Sequence, residues 1–125
     1  MIAPALSDLE RLDIGRRAAV LTLRDRYRRR IKQGRGKVRI EGARALLGWA
    51  DVLVKDGPGI LAAAVCYERD EAAVREVLSG AEASAQIALC RQQGLAPVLW
   101  VWRRPPGGAA TRTWGHRWVA HVEAL

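Results

Sequence analysis

The spacing of apolar and polar positions changes at the glycines, and each change marks a predicted element. Ser7-Asp8-Leu9-Glu10 is a capping-box pattern, in which a serine at the N-cap and a glutamate three residues on satisfy each other's backbone N–H groups. After it, Leu9, Leu12, Ala19, Leu23, Tyr27 and Ile31 recur at helical spacing. Gly15 is a point at which this helix can split, and Gly34 and Gly36 end it. Lys37 to Glu41 alternates and predicts a short strand. From Ala43 the apolar positions Leu46, Leu47, Ala50, Leu53 and Val54 and the polar positions Arg44, Gly48, Asp51 and Lys55 both step by three or four, which predicts an amphipathic helix over 43–55. A strand over 46–54, turning at Asp56-Gly57-Pro58-Gly59, is the alternative; it scatters the same polar residues over two faces.

Ile60 to Tyr67 is an unbroken apolar run, the pattern of a strand buried on both sides. Asp70 can cap a helix through Leu78, a second helix runs from Ala81 to Gln93, and Gly94 stops it. Pro97 to Arg103 reads as a strand, Pro105 to Gly108 as a loop and Thr113 to Val122 as a last strand. Strands separated by helices imply an α/β fold, a three-layer α/β/α sandwich around a small mixed sheet. Residues 1–36 form a basic helical N-terminal segment and 37–125 the α/β domain, in one globular unit of 125 residues.

Charge sharpens this picture. The net charge is +8, and residues 24–37 hold eight Lys/Arg against Asp25 alone. Residues 38–99 are slightly acidic, and 100–125 carry Arg103, Arg104, Arg112 and Arg117 against Glu123. Two clustered patches of one sign call for a polyanion. The candidate phosphate contacts are Arg24, Arg28, Arg29, Arg30, Lys32, Arg35, Lys37, Arg39, Arg44, Arg103, Arg104, Arg112 and Arg117. In the C-terminal strands Trp100 and Trp102 share one face, as do Trp114, His116 and Trp118; tryptophans beside arginines can stack bases, or they can fill a core that has no Phe.

Catalytic chemistry is sparse. Ser7, Ser79 and Ser84 sit in no nucleophile-elbow pattern, and no glycine-rich phosphate loop follows a strand. The spacing of Cys66, Cys90, His116 and His121 matches no zinc module, so neither metal nor cofactor is expected. Both cysteines read as buried thiols rather than a disulfide. No apolar run approaches the ~20 residues of a membrane span, and Met1-Ile2-Ala3-Pro4 lacks a basic region leading into an apolar core. A cytoplasmic location without membrane contact is the expectation.

Two family resemblances follow. A basic helix ending in glycine, a short strand, Glu41-Gly42-Ala43-Arg44 and a helix resemble the N-terminal substrate-binding domain of the SpoU/TrmH family of RNA ribose 2′-O-methyltransferases. Gly115-His116-Arg117-Trp118-Val119-Ala120 resembles the Gly-Val-x-Ala strand that closes that domain, and the likeness extends over roughly residues 20–123. It implies a sandwich like that of kink-turn-binding ribosomal proteins and a structured RNA partner, rRNA or tRNA-like. The family's trefoil-knotted domain, which binds S-adenosylmethionine, is then expected after residue 125 or on a separate catalytic partner. This chain alone is not expected to be an enzyme.

The second resemblance rests on Gly48-Trp49-Ala50-Asp51-Val52-Leu53-Val54, Ile60–Tyr67, a helix containing Gln86 and the strand from Pro97. These resemble the core of PD-(D/E)xK nucleases, small Holliday-junction-resolvase-like ones included. The resemblance implies Asp51 as the metal-binding aspartate and places the Glu-x-Lys of the next strand near Ala64 and Cys66. Without that carboxylate and lysine a hydrolytic site cannot be built. An inactive nuclease fold that binds DNA is what remains, unless a displaced carboxylate such as Glu68 substitutes. A protein-interaction or inhibitor module docking an acidic partner, and a homodimer, are further expectations. Helix or strand at 43–55 divides the two resemblances.

Overall fold

The computed structural model describes residues 7–32, 38–105 and 118–125. It is mixed α/β, with four helices and a five-stranded mixed sheet. Helix α1 spans Asp8–Lys32, strand β1 Arg39–Gly42, helix α2 Arg44–Leu47, strand β2 Val52–Asp56 and strand β3 Gly59–Tyr67. A 3₁₀ turn at Glu68–Asp70 leads into α3, Glu71–Leu78, then α4, Ala81–Gln92, β4, Ala96–Arg103, and β5, Val119–Ala124. The sheet order is β1-β2-β3-β4-β5. The first three strands form an antiparallel meander, α3 and α4 cross to β4, which lies parallel to β3, and β5 returns antiparallel.

At the N-terminus the Glu10 amide donates to Ser7 Oγ at 3.2 Å, as the capping pattern predicts. Gly15 does not split α1. It is buried against the start of α3, and a Cβ there would stand 2.4 Å from Asp70 Oδ2, so the glycine permits a close approach within a continuous helix. Asp70 takes the N-cap position of α3 without a side-chain cap bond. The glycines expected to end α1, Gly34 and Gly36, lie outside the described residues, as do residues 113–117 of the expected last strand.

The largest departure from the sequence pattern is at 43–55. The expected helix is one turn, Arg44–Leu47, closed by Gly48 at φ 67°. The chain then enters β2, whose Val52 and Val54 are fully buried. A central strand covered on both faces loses its period-2 signature, and here it mimicked a helical stripe. Gly57, φ 73°, takes the first central position of the two-residue β2–β3 turn, where a positive φ is needed, and Pro58 takes the second.

The core falls into two groups that divide the strands by parity. Ala62, Ala64 and Cys66 of β3 and Leu99 and Val101 of β4 pack with Val74 and Leu78 of α3 and Ile87 and Cys90 of α4. Ala63 and Val65, with Val98, Trp100 and Trp102, pack with Ala19 and Leu23 of α1 and with Val52 and Val54. Successive strand side chains point to opposite faces, so the two groups lie on opposite faces of the sheet. Among the described residues no helix is long and apolar enough to cross a membrane.

A buried ion-pair centre and a candidate nucleic-acid interface

Asp51 precedes β2 and is buried. Its amide donates to Ala63 O at 2.8 Å, the β3 residue that also pairs with Val52. The Asp51 carboxylate is saturated with donors. Arg16 of α1 gives Nε at 3.0 Å and Nη2 at 2.9 Å to Oδ2, and the Val65 amide reaches the same oxygen at 2.8 Å. Arg44 Nε lies 3.2 Å from Oδ1. Arg16 also donates to Trp49 O at 2.8 Å, and Arg44 bonds Asp13, which pairs with Arg17 at 3.0 Å. Arg16 is only 3% exposed, so the guanidinium and carboxylate are a desolvated, directly hydrogen-bonded pair.

Cys66 lies within reach of this charge. Burial pushes its thiol up to about 12 from an ordinary 9.0, with Arg16 opposing and Asp70, Glu71 and Asp51 adding to the rise. Cys66 and Cys90 are both free thiols in the core. Among the described residues no three His, Cys, Asp or Glu side chains come together as a metal site.

The sequence reading assigns thirteen cations, in two patches, to phosphate contact; the structure gives them different settings. Arg44 and Arg103 are ion-paired within the chain while each side chain stays 41% exposed: Arg44 reaches Asp13 and Asp51, and Arg103 Nη2 is held by Glu71 at 2.9 Å. Arg104 lies 3.4 Å from Glu68 but stays mostly exposed. Arg17, Arg24 and Arg28 follow one another at seven and four residues and so share an exposed stripe of α1. Arg24 Nη1 donates to Ile40 O at 3.1 Å, which brings that stripe to the edge strand β1, and Arg28 is loosely paired with Asp25 at 4.0 Å. On β1, Arg39 stands directly opposite Lys55 of β2. Two like charges directly opposite across a strand pair repel each other, a cost that an anion laid over them removes. Arg29, Arg30 and Lys32 belong to α1, with side chains outside the described part; Arg35, Lys37, Arg112 and Arg117 lie outside the described residues.

The expected base-stacking rings also divide. Trp100 and Trp102 are corrected: both are buried, Trp102 completely, with its Nε1 donating to Ala19 O at 3.0 Å. Their rings meet tilted at about 60°, 5.5 Å between centroids, and Trp100 meets Tyr27 at 6.3 Å in a similar tilt, large apolar partners for α1 in a chain that has no Phe. Trp114 lies outside the described residues. Trp118 is partly exposed, its ring 4.8 Å from that of Tyr67. With Ala18, Glu68, Arg69 and Arg104 these two rings line a cleft of about 360 Å³. Tyr67 and Arg69 carried no sequence signal, since one ends an apolar run and the other sits among acidic residues. Arg16 was hidden too, as one more charge on a helix whose face assignment leaves it next to Ala19. Comparison of the chain with protein-family models, curated proteins and solved structures finds no match.

Proposed function

We propose that the chain is a nucleic-acid-binding module that holds the backbone of duplex DNA and does not cleave it. The observation that carries this reading is the setting of Asp51. Strand β2 from Val52, β3, α4 with Gln86 and the parallel β4 follow in the order of the segments that carry the PD-(D/E)xK resemblance. Asp51 bonds the Ala63 carbonyl and the Val65 amide of β3, beside Ala64 and Cys66, near which that resemblance puts the second carboxylate and the lysine of a hydrolytic centre. Arg16 supplies the positive charge that the carboxylate needs, as a fixed guanidinium. The three-layer α/β/α arrangement belongs to the same reading, with α1 over one face and α3–α4 over the other.

Binding is supported by the stripe of Arg17, Arg24 and Arg28 on α1 and, on the other face of the edge strand, by the Arg39–Lys55 pair, on a chain of net charge +8. Each cation that neutralises a phosphate releases condensed counterions, so affinity falls steeply with salt. The ribose-methyltransferase resemblance calls for a helix over 43–55 and finds one turn of it, which makes structured RNA the comparison ligand rather than the leading one.

Fluorescence anisotropy with a labelled duplex and a labelled RNA hairpin, in magnesium and again in manganese, tests this. The duplex should bind and remain intact on a denaturing gel. Cleavage would revive a hydrolytic role for Asp51; tighter binding of the hairpin would favour the RNA module; no binding of either at low salt would favour an acidic protein partner.

A further inference from the structure

Parallel strands β3 and β4 end side by side, Tyr67 in register with Trp102, and the cleft of about 360 Å³ opens beyond those ends. A crevice outside the carboxyl ends of adjacent parallel strands is where open α/β sheets take ligands, and this volume fits a single small one. The wall is pre-positioned. Tyr67 OH lies 2.6 Å from Thr22 Oγ1 and donates to Ala18 O at 3.2 Å, which fixes its ring against that of Trp118. Arg26 Nη2 donates to Trp118 O at 2.6 Å and so ties this edge of the cleft to α1. The Arg69 guanidinium carbon stands 5.6 Å from the Tyr67 centroid, and Arg104 faces Glu68 at the rim. Both arginine side chains are largely solvent-exposed, at 73% and 68%.

We propose that this cleft receives one unpaired nucleotide of the bound nucleic acid. The base lies against the Trp118–Tyr67 wall, its phosphate meets Arg69 and Arg104, and Glu68 accepts a hydrogen bond from an exocyclic amino group. Aromatic faces stack any base, guanidinium groups match phosphate, and a carboxylate pairs with an amino donor such as that of cytosine. The inference rests on the nucleic-acid reading and adds a preference that a cationic stripe alone does not give. The stripe sees only backbone charge, whereas the cleft needs a base out of its stack.

The test compares a blunt duplex with the same duplex carrying a short single-stranded extension, by anisotropy at fixed salt. Wild type should bind the extended duplex about tenfold more tightly, the order expected for one stacked base. Trp118→Leu should bring the ratio of the two affinities close to one. Arg69→Gln, an exposed change that leaves the aromatic wall in place, should lower it partway. Equal affinity of wild type for both duplexes, or a ratio kept in Trp118→Leu, overturns the inference while the duplex-binding reading stands. Deoxycytidine 5′-monophosphate displacing the extended duplex at matching concentration would assign the cleft to a free nucleotide instead and overturn it as well. Binding to neither duplex would overturn both readings.

Discussion

A single aspartate shows how burial changes what a residue can do. In water Asp51 would be one of thirteen ordinary carboxylates; under α1 it accepts three hydrogen bonds on one oxygen and a fourth donor approaches the other. Removing it leaves Arg16 buried and uncompensated. Asp51→Ala should therefore lower unfolding stability by about 3–5 kcal/mol, read as a drop in urea midpoint at unchanged slope. The double replacement Arg16→Met with Asp51→Leu should recover part of that loss, because only the Val65 N–H and the Trp49 carbonyl are then left without partners. A double variant as unstable as the single one would contradict the ion-pair explanation.

Cys66 gives a pH prediction whose sign follows from burial. Its folded-state pKa, about 12, exceeds the unfolded value near 9.0, so the native state keeps the proton that the unfolded chain releases. Fewer protons on the unfolded state mean that stability declines as pH rises from about 9 towards 12. Cys66→Ala should flatten that decline in denaturant titrations run across this window. The same burial should keep the thiol silent to a disulfide reagent at pH 8 until the protein unfolds.

At the level of elements, pattern and tertiary pairing agree almost everywhere except around β2. Helix α1, β3, the broken α3–α4 pair and β4 are where their periods and glycines put them, since each shows either a clear polar face or an unbroken apolar run. The segment from Ala43 to Lys55 misleads because its apolar residues are demanded by two different surfaces, the α1 side for Val52 and Val54 and the opposite side for Leu53. Only the Asp56-Gly57-Pro58-Gly59 turn distinguishes strand from helix there. Gly57→Ala, at a positive φ that L side chains rarely adopt, should cost about 1 kcal/mol by urea unfolding. An unchanged midpoint would show that the turn does not hold this register. The candidate interface was visible in part: clustered charge pointed to α1, but not to which arginines the fold would draw inward, because ion pairing across 31 or 35 residues leaves no trace in local spacing.

For the whole molecule, the arginines sort by what surrounds them. Those beside Asp51, Glu71 and Glu123 tie the fold together: Arg75 joins α3 to β5 through Glu123 at 2.7 Å, and that hydrogen bond holds the Glu123 carboxyl below its usual range. Those on the outer stripe of α1 and on β1 remain turned to solvent. The central claim is that this second set exists to neutralise phosphate. Its most direct test is the salt dependence of duplex DNA affinity for wild type and for Arg24→Ala/Arg28→Ala, measured between about 50 and 200 mM salt. The double variant should bind more weakly and flatten the log–log slope by roughly two units, one for each arginine that no longer meets a phosphate. A slope identical to wild type, or no wild-type binding at the low-salt end, would contradict it.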